Sequence, residues 1–169
     1  MNVMEAIKGR TSIRQYTDKP IEPEKLKQVL EAGRLAPSAN NAQNWKFLVV
    51  QDHELRQKMI PACNDQSFVG QAPAILVAIG LKPNFMSNKQ PVDTVDLSIA
   101  MSFMILEAYE LGLGTCWLGA YNQDSVKKLL LIPDELSVVA VSPLGYPAFP
   151  PSPRPRKDLE EIVCYNLYQ

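Results

Sequence analysis

The chain has 169 residues, 46% of them hydrophobic, and a net charge of −1 at pH 7. This length suits a single domain, residues 1–169, with a substantial core. The near-neutral charge gives no basis for binding nucleic acid or an acidic membrane surface. The sequence opens without a basic, then apolar, leader, and its longest apolar run, near 98–105, is too short to span a bilayer. We therefore expect a cytoplasmic protein without a membrane segment.

The pattern of apolar residues predicts interleaved helices and strands. In chain order these are a helix through Val3 and Ile7 towards Ile13, a helix from Glu22 or Pro23 to Gly33 or Pro37, a strand over 47–50, a helix over 55–60, a strand over 74–79, a helix over about 95–111, a short strand or turn over 115–119, a helix over 126–130, a strand over 137–144 and a terminal helix or strand within 158–168. This alternation predicts an α/β or α+β sandwich. The first strand is not followed by G-x-G-x-x-G, which disfavours a Rossmann dinucleotide fold.

Capping residues place several helix starts in the sequence. Asp52 is the expected cap of the helix over 55–60, Asp93 or Thr94 of the helix over 95–111, and Asp124 of the helix over 126–130. The helix over 95–111 is apolar on broad faces, so we expect it to be buried nearly all round. Gly112 and Gly114 are expected to end it.

Side-chain catalysis has little support in the sequence. The one histidine, His53, lies between a predicted strand and a predicted helix, which is typical of surface or capping residues. No serine lies in a G-x-S-x-G elbow. Cys63, Cys116 and Cys164 have neither metal-ligand spacing nor a histidine partner. We expect buried, reduced thiols, no metal site and no catalytic side chain, so any difficult chemistry would belong to a cofactor.

Two arginine-bearing segments lie at opposite ends of the sequence. Residues 9–16 hold Arg10 and Arg14 with two hydroxyl residues between them, and residues 154–157 hold Arg154 and Arg156. Guanidinium and hydroxyl donors suit a phosphate monoester, although a solvated basic loop is an equally ordinary interpretation of residues 9–16 alone. An arginine pair spaced by proline, as at 154–156, is usually a solvated tail. If the two segments meet, they form a phosphate clamp. The amide-rich loop over 38–43 and the glycines at Gly114 and Gly119 could then serve a flat heteroaromatic ligand.

Five motifs in register resemble the FMN-dependent nitroreductase superfamily across essentially the whole chain. They are Gly9-Arg10-Thr11-Ser12-Ile13-Arg14-Gln15-Tyr16, Ala36-Pro37-Ser38-Ala39-Asn40-Asn41-Ala42-Gln43-Asn44-Trp45, Ala72-Pro73-Ala74, the run 110–119, and Leu144-Gly145-Tyr146-Pro147 followed by Arg154-Pro155-Arg156-Lys157. The resemblance implies an α+β sandwich in which helices flank a mostly antiparallel central sheet. It also implies a homodimer with FMN at the interface, and a C-terminal segment that reaches onto the partner.

The resemblance also assigns cofactor contacts to particular residues. On the phosphate and ribityl side these are Arg10, Thr11, Ser12, Arg14, Arg154 and Arg156. On the flavin ring they are Pro37, Ser38, Ala39, Asn40 and Gln43 from the other subunit, Asn64 by a loose local match, and Leu118 and Gly119 near flavin N5. Thr11 stands where the family commonly has Arg or His, and Asn44 where it commonly has Pro.

The activity implied by the resemblance is electron transfer from NADH or NADPH through FMN to a nitroaromatic, quinone or similar acceptor by a ping-pong cycle. Larger family members insert helices where this chain has only the loop over 82–92, so we expect a more open site. Phe85 and Met86 in that loop would be lid contacts or ordinary loop packing. Two alternatives stay open at this point. One is a specialised flavin enzyme, such as a dehalogenase, an azoline oxidase or a flavin-fragmenting enzyme; the other is a non-catalytic flavin-binding or storage protein.

Overall fold

The structure, a computed structural model, describes residues 2–152 and 154–168. Its regular elements are α1 (Val3–Gly9), α2 (Pro23–Arg34), β1 (Trp45–Val50), α3 (His53–Ala62), α4 (Phe68–Gln71), β2 (Ala74–Gly80), α5 (Val92–Glu110), β3 (Gly114–Thr115), α6 (Gln123–Leu130) and β4 (Ser137–Gly145). Two single-turn 3₁₀ helices cover Ala39–Asn41 and Leu159–Glu161. The four strands form one sheet in the order β1-β2-β4-β3, and all three pairings are antiparallel. The α+β sandwich with a mostly antiparallel sheet is therefore confirmed.

Strand β2 lies at the centre of the molecule, and all seven of its residues are buried. Successive side chains of a strand point to opposite faces, so β2 contributes to two cores. Ile75, Val77 and Ile79 pack on the face covered by α3, α4 and α6. Leu76 and Ala78 pack on the other face, beneath α2 and α5. The sheet is thus covered on both sides, which explains why its strands read as continuous apolar runs.

The predicted capping residues of α5 and α6 are wrong. Helix α5 begins at Val92 after Pro91, and Asp93 instead accepts hydrogen bonds from Thr94 N–H and Ser137 Oγ–H. Proline is well suited to a helix start because its φ is already helical and it lacks the N–H that would go unpaired there. Asn122, not Asp124, caps α6 by accepting from Ser125 N–H at 2.8 Å.

The environment of α5 also differs from the prediction. One side of the helix is open, since Ser102 is exposed and the Phe103 side chain is 41% exposed. Of the predicted buried thiols, Cys63 and Cys116 are buried but Cys164 is exposed in the tail. Ile13 does not continue α1, because the chain leaves the helix at Arg10 in extended conformation.

The predicted loop over 82–92 is a small hairpin. Phe85 pairs with Pro91 in an antiparallel bridge, and Met86 N–H donates to Gln90 O at 2.9 Å. Lys89 adopts a φ of 68° at its tip. Phe85 is 66% exposed, so it is not packed against its own subunit.

Candidate cofactor site

The N-terminal basic segment is held along the end of the sheet in extended form. Ser12 forms a parallel bridge with Thr115, and Ile13 N–H donates to Thr115 O at 2.8 Å. Ile13 is buried while Ser12 and Arg14 are exposed. Because side chains alternate along an extended chain, Arg10, Ser12 and Arg14 share one face and Ile13 anchors the other. The extended backbone therefore places the hydrogen-bond donors of Arg10, Ser12 and Arg14 on the same side of the chain.

The two arginine segments line one cavity of about 1000 Å³. Its lining residues are Arg10, Thr11, Ser12, Ile13, Arg14, Gln15, Phe149, Pro150, Pro151, Ser152, Arg154, Pro155 and Arg156. Four of them are arginines, and none is Asp or Glu. The cavity thus concentrates positive charge and hydrogen-bond donors without an internal counter-charge, which is the chemistry that binds a phosphate dianion.

A smaller cavity of about 240 Å³ adjoins the first through Arg10, Thr11 and Ser12. Its remaining lining residues are Ser102, Ile105 and Leu106 from α5, with Thr115 and Trp117. Sequence reasoning missed these five residues as site candidates. Ser102, Ile105 and Leu106 carry no local motif, and Thr115 and Trp117 lie in the 110–119 motif without a predicted contact; the packing of α5 and β3 brings all five to the basic segment.

Cys116 lies directly beneath the basic segment and is 1% exposed. Burial raises the pKa of its thiol, an effect that the nearby Arg14 and a hydrogen bond with Ser12 only partly oppose. Burial likewise raises the pKa of the Cys63 thiol to about 11. Both thiols are therefore protonated at neutral pH, and neither is an activated nucleophile.

The segment 118–122 is braced from several sides. Leu118 N–H donates to Val141 O at 2.8 Å, and Asn122 N–H donates to Ala62 O at 2.8 Å. Gln66 Nε2 donates to Ala120 O at 3.0 Å. Gly119, between these contacts, is exposed and its φ is not in the left-handed region. A Cβ built on Gly119 meets nothing within 4 Å, so this chain's own fold does not require glycine there.

Asn64 lies on the neighbouring turn between α3 and α4. It is exposed with a φ of 54°, and Asp65 follows with a φ of 56°. Gln66, the next residue, ties this turn to Ala120 and also donates to Cys63 O at 2.9 Å. Asn64 and Leu118–Gly119 therefore belong to two joined segments. Gln66 was missed from the sequence, since a single glutamine in a turn carries no recognisable signal.

The predicted ring-contacting loop lies elsewhere on the subunit. Asn40, Asn41 and Gln43 have φ values of 54°, 53° and 49°, an unusual run of left-handed conformations for residues other than glycine. Asn41 N–H donates to Ser38 O, and Gln43 N–H donates to Ser38 Oγ. The described residues lining the 1000 Å³ cavity include none from Pro37–Gln43. Within one subunit, this loop and the arginine cavity are separate surfaces.

His53 is the exposed first residue of α3 and has no place in either cavity. Within residues 2–152 and 154–168, no three His, Cys, Asp or Glu side chains are grouped as a metal site would need. Across the same residues, no helix has the length and apolarity to cross a membrane.

The fold and site define an α+β protein with an arginine-rich cavity beside an antiparallel sheet. The nitroreductase family model matches residues 7–92 and 63–146. A Methanothermobacter thermautotrophicus protein, provisionally named NADH dehydrogenase/NAD(P)H nitroreductase, is 36% identical and covers 96% of this chain and 86% of its own length. The chain belongs to the nitroreductase family, and it is therefore an oxidoreductase.

Solved structures agree with this assignment. A nitroreductase family protein from Clostridium difficile 630 superposes with a TM-score of 0.90 at 32% identity, covering 99% of this chain and all of its own. An FMN-dependent nitroreductase from Clostridium difficile R20291 gives a TM-score of 0.84 at 30% identity, covering 98% of this chain and 99% of its own.

The residues present fit FMN on structural grounds. Four guanidinium groups and the hydroxyls of Thr11 and Ser12 surround a cavity large enough for a phosphate and its ribityl chain. The exposed backbone at Gly119, with open space where a Cβ would stand, leaves room for close approach of a flat ring. None of the described residues that line the arginine cavity carries a negative charge that would repel the phosphate.

Proposed function

We propose that the protein is an FMN-dependent NAD(P)H oxidoreductase that works as a homodimer. The observation that carries the proposal is the meeting of Arg10 and Arg14 with Arg154 and Arg156 around one cavity. The fold brings these segments, more than 130 positions apart in the chain, to one cavity, where a bound phosphate would relieve the repulsion between four guanidinium groups. Bound FMN would supply the redox chemistry, accepting a hydride from NADH or NADPH and passing two electrons to an acceptor.

The chain's own residues bind and orient the cofactor in this proposal. Arg10, Arg14, Arg154 and Arg156 neutralise the phosphate, and Thr11 and Ser12 add short hydroxyl donors. Leu118 and Gly119 offer backbone at the ring, on a segment fixed by Val141 O and Ala62 O. Asn64 contacts the ring from the adjoining turn. No side chain transfers the hydride in this proposal, because the flavin accepts it.

The remaining ring contacts come from the partner subunit in this proposal. Pro37, Ser38, Ala39, Asn40 and Gln43 lie apart from the arginine cavity of their own chain, so they would serve the cofactor of the second copy. An exposed apolar region supports such a partner: Val3 is 71% and Phe103 41% exposed, and both line a groove of about 480 Å³ between α1, α2 and α5. The C-terminal tail, with Leu159, Ile162 and Tyr165 each more than 60% exposed, would pack on the partner.

The proposed acceptors are nitroaromatics, quinones and similar flat electrophiles, reduced in a ping-pong cycle. Only a short hairpin occupies the interval over 82–92, so little of this subunit covers a ring near Gly119. We place the protein in the cytoplasm and treat residues 1–169 as one domain. The two buried cysteines, Cys63 and Cys116, are not joined in a disulfide, as suits a reducing compartment.

Steady-state oxidation of NADH and of NADPH by the purified protein, with menadione and a nitrofuran as acceptors, tests this function. We expect a yellow protein that oxidises at least one nucleotide, with parallel double-reciprocal lines when both substrates are varied. A flavin that neither nucleotide reduces would contradict the reductase activity. A colourless protein that takes up no added FMN would contradict the cofactor assignment.

A further inference from the structure

A buried carboxylate connects helix α5 to the strained loop over 38–43. Asp96 is 3% exposed, and its two carboxylate oxygens lie 3.2 and 3.1 Å from the backbone N of Ala39, which donates to them. Among the residues that the structure describes, Ala39 is the one recorded donor to this carboxylate. A buried acidic side chain with a single backbone partner is unusual, because burial without full hydrogen bonding costs free energy.

The loop that Asp96 holds would not keep its shape through backbone preference. Asn40, Asn41 and Gln43 all adopt left-handed conformations; asparagine tolerates this region better than most residues, but three such residues within four positions, one of them a glutamine, need surrounding contacts to hold them. Within the loop, Asn41 N–H and Gln43 N–H both turn back onto Ser38. The Ala39–Asp96 contact fastens the start of this turn to the rigid body of α5.

The three left-handed residues are exposed, whereas the carboxylate that fastens them is buried. The strain is therefore maintained at the surface by a group inside the molecule. Strained backbone held in this way is found at ligand-contacting sites, where the surrounding structure pre-forms the binding geometry.

We propose that Asp96 is a positioning residue, whose buried carboxylate holds the 38–43 loop through Ala39 N–H in the conformation that meets FMN. This inference rests on the proposed function, in which the loop contacts the cofactor. Asp96 itself touches no ligand. Its effect passes through one hydrogen bond to a backbone amide, so it changes how well the loop is prepared for FMN.

The variants Asp96→Ala and Asp96→Asn test this role, with Asp93→Ala as the matched control. Asp93 lies one turn earlier on α5 and is also buried, but it holds Ser137 and Thr94 rather than the loop. The measurements are the dissociation constant for FMN, from quenching of flavin fluorescence on adding apoprotein, and amide hydrogen exchange in peptides covering 38–43 without FMN.

We expect Asp96→Ala to raise the FMN dissociation constant about tenfold and to speed exchange over 38–43, since the acceptor of a buried hydrogen bond is lost and Ala39 N–H is left without a partner. Asp96→Asn keeps an acceptor oxygen and should recover most of the affinity. Asp93→Ala should lower stability and leave FMN binding unchanged. If Asp96→Ala does not fold, Ala39→Pro removes the same hydrogen bond from the donor side, and the same loss of affinity is expected.

The inference is overturned if Asp96→Ala binds FMN with wild-type affinity, or if Asp93→Ala weakens binding equally. Faster exchange over 38–43 without a change in FMN affinity would also overturn it. Wild-type apoprotein that binds no FMN would overturn the proposed function and this inference together. Because the wild type is measured first, this failure is distinguished from a failure of the Asp96 inference alone.

Discussion

Gln66 Nε2 donates a hydrogen bond to the carbonyl oxygen of Ala120 at 3.0 Å, joining two turns that are 54 positions apart in the chain. One turn follows α3 and carries Asn64; the other carries Gly119. Replacing Gln66 with Ala removes the donor and frees the Gly119–Ala120 backbone. We expect the FMN dissociation constant to rise about fivefold, as befits one hydrogen bond.

Gln57→Ala is the control for this prediction. Gln57 Nε2 also donates to a backbone carbonyl, that of Gly70, at 3.0 Å, and it lies outside both cavities. Titration of each apoprotein with FMN distinguishes the two glutamines. Equal affinities for the two variants would mean that Gln66 has no particular role at the cofactor.

The Arg10 guanidinium should matter for flavin retention far more than for folding. Arg10 lines both the large and the small cavity. Arg10→Ala removes a charged phosphate donor, and we expect FMN affinity to fall at least about tenfold while the melting temperature of the apoprotein stays near wild type. Flavin occupancy after dialysis is the measurement.

Arg34→Ala serves as its control, since Arg34 is an exposed arginine on α2 paired with Glu31. An exposed ion pair contributes little to stability, so this variant should match the wild type in both properties. Full FMN occupancy in dialysed Arg10→Ala protein would show that the arginine cavity is not the phosphate site.

Replacing glycine with alanine should affect FMN binding at Gly119 and folding stability at Gly114. A Cβ on Gly119 meets nothing within 4 Å, whereas one on Gly114 would lie 2.6 Å from Ile13 Cγ1. We expect Gly119→Ala to leave apoprotein stability within about 0.5 kcal/mol of wild type and to weaken FMN binding. Gly114→Ala should cost about 1–3 kcal/mol through overpacking. Denaturant titration and FMN binding of both variants check this, and wild-type FMN affinity in Gly119→Ala would exclude close approach of the ring.

Phe103 lies on the exposed side of α5 that we assign to the homodimer. Phe103→Glu would bury a carboxylate in that interface, so we expect a shift from dimer to monomer in sedimentation velocity. Leu131→Glu is the control, because Leu131 is 88% exposed at the end of α6, away from α1, α2 and α5. A Phe103→Glu protein that remains dimeric would place the interface elsewhere.

Tyr121 gives a pH prediction for the braced segment 118–122. Burial raises the pKa of its phenol to about 12, from about 10, and its hydroxyl donates to Val138 O at 2.6 Å. The unfolded chain loses this proton first, so the stabilisation is complete below pH 10 and is lost as the pH rises to 12. Tyr121→Phe should cost about 1 kcal/mol at neutral pH, the value of one hydrogen bond. Urea titrations between pH 8 and 12 should show this difference shrinking, and a constant difference would contradict the assignment.

The sequence by itself determined the α+β sandwich, the existence and order of most elements, and the basic and hydroxyl groups of the proposed phosphate site. An unbroken apolar run and a capping residue are local properties, so the strand over 74–79 and Asp52 as a helix cap could be predicted directly. The basic segment was also visible, because Arg10, Ser12 and Arg14 already carry the right groups at strand spacing.

Only the tertiary structure decided that the two arginine segments share one cavity, and that Ser102, Thr115 and Trp117 adjoin it. It also decided that Gln66 reaches Ala120 and that Asp96 holds Ala39. These relationships join residues up to 146 positions apart, as Arg10 and Arg156 are, and no periodicity or capping rule connects such residues. They exist because sheet pairing and the burial of apolar surface bring distant segments together. That packing depends on all segments at once and not on any local stretch of sequence.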